Sequence, residues 1–422
     1  MNILVLTPLV PYPPHDGDKL RLFHFLRYLK SRGHKIDLFC LTRVRSDFQY
    51  VSELQALCRK VRIEQLNNVD MFFNFIGGLL IGQSLNVSSY FSPELRDALK
   101  AYWQTEEGKS IDVVLVHRLR MIQFLQMHFG FTGKEWAHSQ PFFEKPTVVD
   151  LTDSLTAYAE QLGKQSGARL SRRLAARWDY WFLKREEVEW SERAHQSILI
   201  SEGDAQVLRE QGLPAEKMTV IPNGVESKSG KSPRPTAYPD KTPVVSFVGN
   251  MGYAPNEDGA VWFLEKVWPL IKLRVPGAVF AAVGGQPRER LRKFHNGNDI
   301  LVTGWVPEIE PYVKHSTLTV APLRIASGMQ NKVALSLSLG VPVVATPSAV
   351  SWMPAQGKEF VLQGDGEILF ANQVTEVLLN PRRARAMAIR GKRYIFKKYR
   401  WAESGRKLEE VLKKAAKSEK FR

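Results

Sequence analysis

Short apolar runs separated by amphipathic stretches recur along this 422-residue chain, and they do so in two series. A parallel strand covered on both faces reads as a near-continuous apolar run, and its connection to the next strand takes a helix. The first series predicts strands at 2–6, 35–41, 112–117, 147–151 and 197–200. The second predicts strands at 244–248, 279–283, 300–303, 318–322, 341–345 and near 360–362. Leu22, Phe25, Leu26 and Leu29 share one face of a helix over 20–32, with Gly33 where a C-terminal stop belongs. Further helices are expected over 256–275 and from Gly328 to residue 339. Between the series, residues 226–242 are polar, hold three prolines and lack apolar periodicity, so they read as a linker. The chain is therefore α/β, with two similar halves.

Charge is unevenly placed. The chain carries 59 Lys/Arg against 43 Asp/Glu, a formal +16, yet residues 381–422 alone hold sixteen Lys/Arg and four Glu. The rest is near balance, which argues against a surface built for nucleic acid and for one basic face that meets an anionic partner such as a membrane surface. Two cysteines, Cys40 and Cys58, exclude a disulfide scaffold and a Cys-rich zinc site, and fit a reducing compartment. No apolar run reaches the ~18–20 residues of a membrane span. The first residues read as a buried strand rather than a signal peptide, so a cytoplasmic protein is expected. Residues 71–81 (MFFNFIGGLLI) suit a buried or an interfacial helix. Residues 164–193 mix eight Lys/Arg with Trp178, Tyr180, Trp181, Phe182 and Trp190, which suits a core face with snorkelling cations or a membrane interface.

Four places can carry chemistry. The loop Pro11-Tyr-Pro-Pro-His-Asp-Gly-Asp-Lys19 runs from the first strand into the first helix, where ligands of open parallel sheets bind. Gly17 permits close backbone approach and Lys19 adds a cation. The Gly-x-Gly-x-x-Gly fingerprint is missing, which excludes a tightly held dinucleotide. Asp16-Gly-Asp18 has the form of a metal pair but no third ligand. His117 and Arg118 end an apolar strand, and Asp150, Asp153 and Ser154 follow another, with helix capping the expected role of Ser154. The fullest signal is Ala321-Pro-Leu-Arg-Ile-Ala-Ser-Gly-Met-Gln-Asn-Lys332. Here Arg324, Lys332 and free N–H groups at a helix start form an anion pocket fit for a diphosphate. No Asp or Glu occurs from Pro311 to Lys358, so no carboxylate of this stretch repels phosphate or holds a divalent metal. The turn Val248-Gly-Asn-Met-Gly252 is expected to face the same pocket.

These residues resemble glycosyltransferase family 4, the retaining GT-B enzymes, and more narrowly the sugar transferases of exosortase/PEP-CTERM exopolysaccharide systems. The motifs are Pro13-Pro-His-Asp-Gly-Asp-Lys19, Val149-Asp-Leu-Thr-Asp153, Ile221-Pro-Asn-Gly-Val225, Phe247-Val-Gly-Asn-Met251, Pro322-Leu-Arg through Asn331-Lys-Val, Pro342-Val-Val-Ala-Thr346 and Tyr399-Arg-Trp401. They run in order from end to end. The resemblance implies two Rossmann-like domains, an acceptor domain at 1–225 and a nucleotide-sugar domain at 243–398. A basic helix at 399–422 would then return to the first. It implies a nucleotide diphosphate sugar as substrate, a saccharide acceptor that is lipid-linked or part of an exopolysaccharide, and no cofactor or metal. Lys332 and Arg324 would neutralise the diphosphate and His117 would contact the donor sugar. Gly17, Gly249, Asn250, Ser327, Gly328, Asn331 and Leu335 would line the donor site. Asp18, Lys19, Arg118, Asp150 and Asp153 would lie on the acceptor side.

The chain departs from that family at one register. Leu335 stands where the family has a ribose-binding glutamate, and Ser327 stands at the first position of its Glu-x7-Glu pair. Losing a charge-assisted hydrogen bond costs ~1.5–3 kcal/mol. Two other expectations are kept: a catalytically degenerate scaffolding subunit, which Leu335 and Ser327 motivate, and a sugar-nucleotide epimerase of the same overall fold. Location on the cytosolic face of an inner membrane completes the expectation.

Overall fold

A computed structural model describes residues 1–15, 17–125, 145–164, 170–226, 233–238 and 242–418. The chain forms two compact units, one of Met1–Pro222 with Trp401–Arg422 and one of Asn223–Arg400.

The first unit holds a seven-stranded sheet of β1 (Asn2–Thr7), β2 (Lys35–Thr42), β3 (Lys60–Gln65), β4 (Val113–His117), β5 (Thr147–Thr152), β6 (Gln196–Leu199) and β7 (Met218–Val220). Every pairing is parallel, in the order β3-β2-β1-β4-β5-β6-β7. Alternate residues feed two cores. Leu4, Leu6, Val114, Val116 and Val149 lie in one, and Ile3, Val5, Val113, Leu115 and Val148 in the other. Helix α1 (Gly17–Ser31) buries Leu22, Phe25, Leu26 and Leu29 in the second core, and also Arg21 and His24. The apolar stretch at 71–81 belongs to α2 (Asn68–Ile81), followed by the one-turn α3 (Leu85–Ser88). The stretch 164–193 is not one helix: α4 (Leu155–Lys164) ends before it and α5 (Leu170–Arg193) fills most of it, with 165–169 outside the described residues.

The second unit has a six-stranded parallel sheet of β8 (Val244–Val248), β9 (Val279–Val283), β10 (Ile300–Val302), β11 (Leu318–Ala321), β12 (Val343–Ala345) and β13 (Leu362–Gln363), ordered β10-β9-β8-β11-β12-β13. The helix expected over 256–275 begins as α6 (Ala254–Trp262). It passes through a π turn at Phe263–Val267 and resumes at Trp268, one residue before a proline that interrupts the regular ladder. Helix α7 spans Asn331–Leu339, three residues later than expected, because Gly328 sits at φ +61° in the preceding loop. Helix α8 (Pro381–Lys398) buries Ala384, Ala388, Gly391 and Ile395. Residues 227–232 and 239–241 of the expected linker lie outside the described residues, but Tyr238 between them is buried in this unit's core, against Tyr312 and Ser316. That segment is therefore anchored by one aromatic ring.

The last helix, α9 (Trp401–Ala416), belongs to the first unit. Trp401 stacks on His24 at 4.2 Å, Glu409 meets His34 at 3.1 Å, and Gly405 lies so close to Tyr28 that a Cβ would fall 2.3 Å from its ring. The cations of the basic C-terminal stretch are divided between α8 of the second unit and α9 of the first, where Arg406 pairs with Glu403 and Glu410 and Lys413 with Glu409.

Candidate functional site

Each sheet reverses its strand order once, between β1 and β4 in the first unit and between β8 and β11 in the second. The C-terminal strand ends at such a reversal form the crevice where α/β sheets bind ligands. One polar cluster lies at each.

In the second unit the cluster begins where β8 ends. Gly249 adopts φ +151° and Gly284, after β9, φ +138°. A Cβ on Gly284 would lie 1.9 Å from the Gly249 carbonyl oxygen, so the two turns pack backbone on backbone. Asn250 accepts from the Gly252 amide at 2.9 Å, and its carbonyl accepts from the Asn256 side chain at 2.8 Å. The Asn256 side-chain oxygen is buried with no hydrogen-bond partner among the described residues.

Lys332 is the second residue of α7, and its Nζ lies 5.8 Å from the Phe247 ring centre. Its Cε lies 3.5 Å from where a Gly249 Cβ would be, so the two are neighbours. Its one hydrogen bond among the described residues is to the Gln330 side chain, 3.1 Å away. Burial without a carboxylate partner pushes the ammonium down to about 8. Gln330 is fastened in turn to the Ser327 carbonyl at 2.9 Å. The amides of Asn331 and Lys332 have no acceptor among the described residues, as the first turn of a helix leaves them. A cation, free amides and the helix dipole thus converge on one spot.

Two site residues stand differently from expectation. Arg324 is 41% exposed and is held by Asp258 of α6, with Nε and Nη2 at 2.9 and 2.5 Å from the two carboxylate oxygens. The acid-free stretch in sequence therefore does not make an acid-free neighbourhood, because the fold brings a carboxylate from 66 residues away. Leu335 packs half-buried against the unit's core. Asn223 went without a role at the sequence level although it lies in the quoted Ile221–Val225 motif. It is buried and donates to the Asn331 side chain at 3.1 Å, setting the first residue of α7.

In the first unit, Arg21, His117 and Asp150 are wholly buried together. Arg21 grips both Asp150 oxygens at 2.9 Å and reaches the Ile221 carbonyl at 2.8 Å, while His117 Nδ1 lies 3.0 Å from Asp150. Burial alone would raise the Asp150 carboxyl, but the Arg21 charge and the bonds from His117 and Arg21 outweigh it and hold it far below the carboxylate range. The carboxylate orients the ring by its bond with Nδ1, and His117 Nε2 is buried with no partner among the described residues. Arg21, buried in a helix face, carried no sequence signal beyond its place one residue before the apolar periodicity.

Arg118 lies between Asp18 and Asp153 in two close ion pairs and adds a bond to the Leu151 carbonyl at 3.3 Å. Arg118 and Thr152 adopt φ +70° and +69°, costly for non-glycine residues and typical of over-determined functional positions. Lys19 pairs loosely with Asp47 at 3.8 Å. Gly17 is the first residue of α1, and Asp16 lies outside the described residues. Ser154 caps α4 through the Ala157 amide and donates to buried Glu187. Among the described residues no group of three or more His, Cys, Asp or Glu is placed to hold a metal ion.

Residues 242–380 match the family Glycosyl transferases group 1. Over 223 residues the chain is 27% identical to the GDP-mannose-dependent alpha-(1-6)-phosphatidylinositol monomannoside mannosyltransferase of Mycobacterium tuberculosis. That match covers 47% of this chain and 57% of the relative, so the chain spans little more than half the length of the curated relative it matches. Among solved structures, sucrose-phosphate synthase from Thermosynechococcus elongatus superposes with a TM-score of 0.69 at 15% identity, covering 98% of this chain and 99% of that one. Anabaena HepE in complex with UDP-glucose gives 0.66 at 15%, covering 98% and 100%. WaaG, a glycosyltransferase involved in lipopolysaccharide biosynthesis, gives 0.63 at 12%, covering 98% and 99%. These likenesses show the fold: two parallel-sheet Rossmann-like domains, as in GT-B glycosyltransferases.

Proposed function

We propose that the protein is a retaining hexosyltransferase of the family 4 type, of the exosortase/PEP-CTERM-associated kind. It moves a sugar from a nucleotide diphosphate to an exopolysaccharide or lipid-linked saccharide acceptor. The observation that carries this reading is Lys332: a half-buried, desolvated ammonium at a helix start, with no carboxylate paired to it among the described residues. Such a charge is costly unless an anion completes it. A leaving diphosphate, whose negative charge grows in the transition state, is the anion that a cation and free amides of this kind stabilise most. The Lys332 ammonium and the Asn331 and Lys332 amides supply that stabilisation without a metal or cofactor.

His117 Nε2, buried and without a partner among the described residues, suits a hydroxyl of the transferred sugar. The Asp18–Arg118–Asp153 cluster suits the acceptor saccharide. The similar proteins agree in kind: one is a GDP-mannose-dependent phosphatidylinositol monomannoside mannosyltransferase, and another was solved in complex with UDP-glucose. The scaffolding alternative rests on Leu335 and Ser327; what favours transfer over it is that Lys332 and the free amides at the start of α7 are in place. We place the enzyme in the cytoplasm, peripheral to the membrane that carries its acceptor.

The test is a panel of nucleotide sugars screened for thermal stabilisation, followed by turnover with the best binder. Wild type should be stabilised and Lys332→Ala should lose both stabilisation and transfer at an unchanged melting temperature of the free protein. Full turnover by Lys332→Ala would overturn the reading. Conversion of the donor with no acceptor present would make the protein an epimerase.

A further inference from the structure

Helix α2 faces the wrong way for a globular protein. Val69, Phe72, Phe73, Ile76 and Leu80 fall at i, i+3, i+4, i+7 and i+11, one helical face, and all five are between 38% and 82% exposed. The helix is seated through its small side. Gly78 is its one fully buried residue, and a Cβ there would meet the Ser88 hydroxyl at 2.2 Å. Met71 and Phe75 turn instead toward a cavity of about 290 Å³ shared with Tyr90, Arg120 and Ala175.

The end of α2 is clamped to the middle of α5. Gly82 lies against the Phe182 ring, Trp178 donates to the Gln83 carbonyl at 3.0 Å, and Asp179 accepts from the Leu85 amide at 2.7 Å. Exposed Leu80, Ile81 and Trp181 therefore flank the junction. Along α5, Leu170, Leu174, Arg177, Trp181 and Lys184 fall at i, i+4, i+7, i+11 and i+14, and all are exposed. The carboxylates of this part of α5 point elsewhere: Asp179 caps α3, Glu186 binds the Ser84 amide and Glu187 binds α4. Among the described residues Arg177, Lys184 and Arg185 form no ion pair.

We infer that the outward faces of α2 and α5 dock the protein on an anionic lipid bilayer. The apolar residues sit at the acyl–headgroup boundary and Arg177, Lys184 and Arg185 meet lipid phosphates. Charge complementarity selects this occupant, since unneutralised cations interleaved with aromatic and aliphatic side chains match a surface that is apolar below and anionic above. No helix among the described residues is long and apolar enough to cross a membrane, so the protein lies on the bilayer at this face. The inference does not rest on the transferase reading, because binding to lipid is measured without any sugar.

Vesicles of phosphatidylcholine, with and without 30% phosphatidylglycerol, are floated with the full chain at low and high salt. The wild type should float with the anionic vesicles at low salt, and binding should fall at least tenfold in 0.5 M salt. Phe72→Ser with Phe73→Ser, and separately Arg177→Glu with Lys184→Glu, should each weaken binding at least tenfold at unchanged melting temperature. Lys397→Glu with Lys398→Glu on α8 should leave it within twofold. Failure of wild type to float, or equal binding by the α2 and α5 variants, overturns the inference. A dimer that Phe72→Ser with Phe73→Ser dissociates, without lipid binding by wild type, makes the face a self-interface and overturns it as well.

Discussion

Lys332 and Gly249 are neighbours: the lysine's Cε passes 3.5 Å from the point where a Cβ at 249 would stand, an ordinary contact distance, while the Asn256 side-chain nitrogen lies 2.9 Å from that point. The helix after β11 thus brings its ammonium beside the turn that ends β8. The ammonium then carries burial that lowers it to about 8 from an ordinary 10.5.

The consequence for pH is signed. Between about 8 and 10.5 the unfolded chain holds more protons at this lysine than the folded one, so its contribution makes stability rise with pH across that window. Anion binding runs the other way, since only the ammonium attracts phosphate. The affinity for a nucleoside diphosphate should fall as pH rises past 8, and calorimetry in buffers of different ionisation heat should show proton uptake on binding at pH 8–9. Lys332→Arg should move that fall beyond pH 10.

The Arg324–Asp258 pair sits at the surface, so it adds about 0–1 kcal/mol to stability. Asp258→Asn should lower the melting temperature by no more than about 2–4 °C by that measure. The released guanidinium should bind a diphosphate several-fold more tightly, while Arg324→Ala should weaken it. Equal affinities for wild type and both variants would show that Arg324 stays away from the ligand.

In the first unit the Arg21–Asp150–His117 group is a buried charge network, and removing one partner strands the others. Asp150→Asn should cost about 3–5 kcal/mol, read as a lower calorimetric transition of that unit. His117→Gln, which removes no formal partner of Arg21, should cost less and act chiefly on turnover.

Glu187 accepts from the Ser154 hydroxyl and the Leu155 and Thr156 amides, yet burial outweighs these bonds and pushes it up to about 7 from 4.5. A raised carboxyl makes folding take up a proton, so its stabilising contribution is complete below 4.5 and is lost as pH rises through 7. The melting temperature of Glu187→Gln should vary less between pH 5 and 8 than that of wild type.

Gly284→Ala forces a Cβ to within 1.9 Å of the Gly249 oxygen at a φ of +138°. It should lower the melting temperature strongly and abolish diphosphate binding by displacing the β8 turn. Gly277→Ala, with nothing within 4 Å, is the matched control.

Most central strands were legible because a strand buried on both faces has no choice but continuous apolar residues. Val244–Val248 and Val279–Val283 begin and end where the pattern does. The edge strands β3 and β7 were missed: Lys60–Gln65 reads KVRIEQ, half solvated, and Met218–Val220 is three residues long. Helix α7 starts late because a glycine's left-handed turn, invisible to periodicity, delays it.

The sequence by itself determined which segments form the central strands, where each series restarts, and that Lys332 stands near a helix start, since these depend on residues near one another along the chain. Only the tertiary structure decided which charges are answered. Arg21 meets Asp150 across 129 positions, Arg118 meets Asp18 across 100, and Arg324 meets Asp258 across 66, while Lys332 meets no carboxylate among the described residues. It also decided that the apolar face of α2 looks outward. A hydrophobic stripe has the same period whether protein or something else covers it, and the covering is a property of the packed molecule.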